Sequence, residues 1–119
     1  MTENEIARCA VDLSFKIHRQ YGPGMFESVY EEIFCYEWSR YGIPYRRQCE
    51  VTIIHDNIKL GTCFRAYLIL DDKVILEFKS VESLAPIHHK QLLTYLKLTN
   101  LKPGLLINFN VPLIRDGIH

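Results

Sequence analysis

The chain has 119 residues, 48% of them hydrophobic, and its 14 basic and 14 acidic side chains cancel to a formal charge of zero. That is enough apolar material to fill one core, so a single domain over residues 1–119 is expected. Overall neutrality excludes a protein basic throughout, and any surface for nucleic acid must be local.

Thr2 and Glu5 have the form of a capping box, and Ile6, Ala10, Leu13 and Ile17 recur at helical spacing, predicting a first helix over about 3–20. Tyr21-Gly22-Pro23-Gly24 ends it. A second helix is expected from near Phe26, with Phe26, Val29, Tyr30, Ile33, Phe34, Trp38 and Tyr41 as a broad apolar stripe and Gly42 with Pro44 as the stop. Tyr45 to His55 and Ile58 to Leu70 read as strands joined by a turn at Asp56-Asn57, with a bend or bulge at Gly61. Asp71-Asp72-Lys73 reads as the next turn. Val74 to Val81 is almost continuously apolar apart from Glu77 and Lys79, the pattern of a central strand covered on both faces. Pro86 starts a third helix, with Leu92, Leu93, Tyr95, Leu96 and Leu98 on its inner side. Leu105 to Phe109 is a last buried strand, and the tail after Pro112 is expected to be irregular. The order is a leading helix, then α-β-β-β-α-β, which implies a mixed sheet flanked by helices in an α/β or α+β domain.

Four cysteines, Cys9, Cys35, Cys49 and Cys63, form no C-x-x-C pair, which favours buried, reduced thiols over a disulfide framework or a zinc site. No apolar run approaches the roughly 20 residues that cross a bilayer, and the first residues are acidic rather than a basic leader. A cytoplasmic location is expected.

Glu77 and Lys79 are two apart on a strand, so their side chains leave the same face. A carboxylate and an ammonium in a central strand are costly unless they pair or bind something. The two readings are a salt bridge kept by packing and a phosphodiesterase site, in which the carboxylate holds a hard divalent cation and the lysine steadies the attacking water or the phosphate.

Spaced motifs decide between them by resemblance. Gly24-Met-Phe-Glu27-Ser-Val-Tyr30 resembles the G-x-x-E-x-x-Y signature of a small bacterial family. Gly42-Ile-Pro, Phe64-Arg-Ala, Val74-Ile-Leu-Glu77-Phe-Lys79, Gln91-Leu-Leu-Thr-Tyr95 and Gly104-Leu-Leu-Ile-Asn-Phe-Asn110 are similar to it as well, over roughly residues 5–111. That family is classed with the PD-(D/E)XK nucleases, whose core has the element order read above. The resemblance implies a divalent-metal nuclease acting on DNA or RNA with magnesium or manganese. In it Glu27 is the accessory acid, Glu77 a metal ligand together with the Phe78 backbone carbonyl, and Lys79 the catalytic lysine. Gln91 and Tyr95 match the Q-x-x-x-Y motif of RecB-like members, and His88 shares their helix face. Arg46, Arg47 and Arg65 are candidate phosphate contacts, although strand arginines more often make surface pairs.

One position departs from the pattern. The family has an aspartate ten residues before the E-x-K glutamate, and here Tyr67 stands there. A phenol is a poor magnesium ligand. Weak metal binding and an impaired nuclease are therefore expected. The alternative is a catalytically inactive module that keeps the fold and binds nucleic acid or a protein partner, or pairs with a second copy. With a three-residue turn at 71–73, residues 70 and 74 pair and position 67 falls opposite Glu77, whereas a two-residue turn puts Tyr67 on the other face; Asp71 and Asp72 stay at the hairpin tip, too far along the strand to substitute.

Overall fold

A computed structural model describes residues 1–99 and 103–119; the side chains of 48–54, 59–67, 95, 98 and 99 fall outside the described set. Helix α1 spans Glu3–Tyr21, opened by the expected capping box: the Thr2 hydroxyl accepts the Glu5 N–H and the Glu5 carboxylate accepts the Thr2 N–H, each at 3.2 Å. Ile6, Ala10, Leu13 and Ile17 are all buried. Helix α2 spans Glu27–Ser39. Its buried side is narrower than the predicted stripe, with Tyr30, Phe34, Cys35 and Trp38 inside and Phe26, Val29 and Tyr41 exposed. Helix α2 packs on α1 and on β3, and the outer members of its wide apolar arc face away from them.

Strands β1 (Tyr45–His55), β2 (Ile58–Leu70), β3 (Val74–Lys79) and β4 (Gly104–Asn108) form one mixed sheet in the order β1-β2-β3-β4, antiparallel except for the parallel pair β3 and β4. The turn between β1 and β2 uses Asp56 and Asn57 at φ 51° and 62°, a left-handed pair that these residues tolerate. The β1–β2 register shifts between Val51 and Thr52 and again between Thr52 and Ile54, around Gly61 on the partner strand. The β2–β3 pairs run from Leu70↔Val74 to Leu68↔Leu76, the register of a three-residue turn, and Asp71 and Asp72 lie at its tip.

Strand β3 stops at Lys79, two residues short of the predicted end, because Ser80 and Val81 turn to side-chain partners instead of a strand. Helix α3 (Pro86–Thr99) is the crossover between β3 and β4. Of its expected inner residues, Leu92 is buried, Leu96 half-buried and Leu93 exposed, and Tyr95 and Leu98 lie outside the described side chains. Strand β4 begins and ends one residue earlier than predicted.

The tail is ordered rather than irregular. A 3-10 turn, Ile114–Gly117, buries Ile114, and Leu106 and His119 then exchange backbone hydrogen bonds at 3.0 and 2.9 Å. Gly117 makes this approach feasible, since a Cβ there would lie 2.1 Å from the Asn108 carbonyl oxygen. Two apolar clusters sandwich the sheet: Leu68, Leu70, Val74, Leu76, Phe78, Ile107 and Phe109 face α1 and α2, while Ile69, Ile75 and Leu106 face Leu92 of α3. Among the described residues, no helix is long and apolar enough to cross a membrane.

Candidate active site

Alternation along β3 decides where its charges go. Val74, Leu76 and Phe78 belong to the α1/α2 cluster and Ile75 to the α3 cluster, so Glu77 and Lys79 take the α3 side. Glu77 is 1% exposed and Lys79 half-buried. Their parallel partners on β4 are Leu106 and Asn108.

The segment after Lys79 is held from two directions. The buried Asn108 amide donates to the Val81 carbonyl at 2.9 Å and accepts the N–H groups of Val81 and Asn110 at 3.1 and 3.2 Å. The Phe109 N–H donates to the Lys79 carbonyl at 2.9 Å. From the helical side, Glu27 Oε1 accepts the Ser80 N–H at 3.3 Å, and the Ser80 hydroxyl donates to the Met25 carbonyl at 2.7 Å. The first turn of α2 is thus brought to the end of the strand that carries Glu77 and Lys79.

Glu27 arrives there because of the residues around it. Gly24 sits at φ 107°, a conformation that side chains disfavour, and lets the chain turn from α1 into α2. Tyr30 is fully buried and stacked on Phe109, ring centroids 4.2 Å apart. Its hydroxyl donates to the Gly22 carbonyl at 2.6 Å and accepts the Met25 N–H at 3.3 Å, fixing the loop on both sides of Gly24. The glycine, the glutamate and the tyrosine of the G-x-x-E-x-x-Y spacing thus form one device: turn, carboxylate and anchor.

An open pocket of about 550 Å³ adjoins this junction, lined by Met25, Phe26, Glu27, Glu31, Ser80 and Asn110 among others. Glu31, one turn after Glu27, is 2% exposed and was not singled out by the sequence. Its Oε2 accepts from Arg47 at 3.3 Å; Arg47 also donates to Glu32 at 2.6 Å, the interaction that chiefly raises its pKa above the ordinary guanidinium value. Asn108 and Ser80 were missed as well.

Arg47 pairs with the buried Glu31 and the exposed Glu32, and Arg46 makes a surface pair with Asp72 at 2.7 Å. His88 Nδ1 accepts the Ala85 N–H at 3.1 Å and so serves the start of α3. Gln91 is exposed on α3. The side chains of Arg65, Tyr67 and Tyr95 lie outside the described residues. Among the described residues, no three histidine, cysteine, aspartate or glutamate side chains gather as a metal site. The acidic side chains that the fold places on β3 and at the start of α2, Glu77 and Glu27, offer hard carboxylate oxygens, the type that suits magnesium or manganese.

A family model described as the PD-(D/E)XK nuclease superfamily matches residues 4–119. The chain belongs to that superfamily. Comparison with curated proteins and with solved structures gives no match. In this PD-(D/E)XK nuclease domain Glu77 is buried on a central strand, and Glu27 bonds to Ser80 just beyond the end of that strand. The element order of the superfamily core, α-β-β-β-α-β behind one leading helix, is the order observed.

Proposed function

We propose that this domain is a divalent-metal-dependent nuclease hydrolysing phosphodiester bonds of DNA or RNA, impaired by Tyr67 at the aspartate position. The observation that carries the reading is Glu77, a carboxylate 1% exposed on the central strand, two residues from Lys79 and beside the strand end reached by Glu27. Such a charge is costly in a sheet unless it serves a partner. Glu77, Glu27 and the Phe78 carbonyl would hold one magnesium or manganese ion with waters completing the shell, and affinity is low because two carboxylates do the work of three. When bound, the ion polarises the phosphate and lowers the pKa of water.

The chain's own groups account for the rest. Lys79 donates to the phosphate oxygen on which negative charge builds as water attacks phosphorus, and the bond to the leaving sugar oxygen breaks. Gln91 and Tyr95, one turn apart on α3, orient the strand, with Arg65 and His88 as outer phosphate contacts. The bonds from the Ser80 and Val81 N–H groups to the Glu27 and Asn108 side chains hold the chain just after Lys79 in place.

The test is cleavage of single-stranded and duplex DNA and RNA in magnesium or manganese by this protein, Tyr67→Asp and Lys79→Ala. Slow cleavage that Lys79→Ala abolishes and Tyr67→Asp accelerates on the order of tenfold or more is the expected result. Cleavage by Tyr67→Asp alone favours the second reading, an inactive nuclease-fold module, for which Tyr67 itself is the supporting observation. Binding that weakens steeply with salt would then mark nucleic acid as its partner rather than protein.

A further inference from the structure

Phe26 is the most exposed large apolar side chain among the described residues, at 81%, and it stands where the chain enters α2. It holds the N-cap position and closes the first turn with no side-chain hydrogen bond. A serine, threonine, asparagine or aspartate there would accept one of the helix's orphan N–H groups, so a phenylalanine serves neither the cap nor the core. Its backbone is fixed all the same. The Phe26 carbonyl accepts the N–H groups of Val29 and Tyr30 at 3.0 and 3.4 Å, and the buried Tyr30 hydroxyl accepts the neighbouring Met25 N–H at 3.3 Å. The result is an exposed aromatic ring on a rigid mount.

The ring lines the open pocket of about 550 Å³ with Glu27, Ser28, Ser80 and Asn110. Glu27 accepts the Ser80 N–H, and Ser80 follows Lys79, so the ring stands beside the end of β3. Charge selects what can enter. Glutamates line this pocket and no described arginine or lysine does, so a phosphate is repelled while a neutral planar group with polar edges is not. A nucleobase has that chemistry, with a π-face for Phe26 and N–H and carbonyl edges for Ser28 and Asn110. A base inside a duplex is already stacked and paired, and reaches such a ring only when it leaves the helix. We propose that Phe26 is a stacking platform for an unpaired base of the strand whose phosphate lies at Lys79, so that the domain takes single-stranded nucleic acid in preference to duplex. The inference rests on the nuclease reading and deepens it by naming the substrate class.

The probes are fluorescein-labelled oligothymidylate and oligouridylate, with an abasic strand of equal length and a duplex as controls. They are titrated with the full chain at low salt and without divalent ions, so that nothing is cleaved. A base-bearing strand should bind at least about fivefold tighter than the abasic strand, the lower end of what stacking one base gives, and tighter than the duplex. Base-dependent binding of either oligonucleotide supports the platform, and the tighter of the two names the sugar. Phe26→Ala and Phe26→Leu, the latter apolar but without a π-face, should lose the preference. Phe26→Trp should keep it, with emission quenched by the base-bearing strand alone, since the natural Trp38 is fully buried. A side chain this exposed carries little of the fold, so the variants stay folded. Equal binding of abasic and base-bearing strands, a preference that survives in Phe26→Ala or Phe26→Leu, or tighter binding of the duplex overturns the platform. Lys79-dependent cleavage of duplex and single strand alike, unaffected by Phe26→Ala, retains the nuclease reading and removes this inference. A base preference lost in Phe26→Ala, with no cleavage by any variant, does the reverse.

Discussion

Removing one oxygen tests how the loop before α2 is held. In Tyr30→Phe the ring keeps its burial and its stack on Phe109, but the Gly22 carbonyl loses a 2.6 Å donor and the Met25 N–H loses a 3.3 Å acceptor. A hydrogen bond contributes about 1 kcal/mol net, and both partners here are only part-buried, so the loss should be about 1.5–2 kcal/mol. For a chain of this length that is a fall in Tm of about 5–8 °C. Urea unfolding followed by the fluorescence of Trp38, the single tryptophan and a fully buried one, reads the change directly. The slope with denaturant should stay constant, because the surface exposed on unfolding is unchanged. A loss below about 0.5 kcal/mol would show that water replaces the hydroxyl and that Tyr30 acts through its ring alone. Because the same loop leads into Glu27, the variant should also weaken manganese binding.

Asn108→Ala removes three hydrogen bonds from a buried side chain and leaves the Val81 N–H and carbonyl without them; a loss of about 2–3 kcal/mol in urea unfolding is expected. Gly117→Ala sets a methyl against the backbone oxygen of Asn108, which cannot yield as a side chain would. It should cost at least about 2 kcal/mol and speed hydrogen exchange at Leu106 and His119. Burial pushes the Cys35 thiol from 9.0 up to about 11, so at pH 8 it should resist thiol reagents until the protein unfolds. The thiol is raised in the folded state, so its contribution to stability is full below pH 9 and is lost as pH rises toward 11; unfolding midpoints across that range check the sign.

The element order was legible because each boundary has a local cause: a capping pair at Thr2 and Glu5, a proline at 86, and aspartates and an asparagine where φ turns positive. Glu77 and Lys79 stood out because charges interrupt an apolar run. What stayed hidden depends on contacts distant in sequence. Glu31 reads as one more solvated helix charge among Glu27, Glu32 and Glu37, and only the fold sets it against Arg47, 16 residues on. Its spacing of four from Glu27 was the one available signal. Asn108 looks like the end of a strand until Val81, 27 residues before it, comes alongside. Phe26 and Val29 continue the apolar period of α2, yet periodicity cannot tell how many layers will cover a helix, and here they remain exposed.

The returning tail has a consequence for how this sheet meets other chains. By exchanging hydrogen bonds between His119 and Leu106, the protein occupies part of the outer margin of β4 with its own backbone. Strand addition by a foreign peptide or a second copy must first displace that segment, whereas no such segment is described along β1. A chain pairing on this margin would therefore compete with the protein's own backbone, one strand away from Glu77 and Lys79.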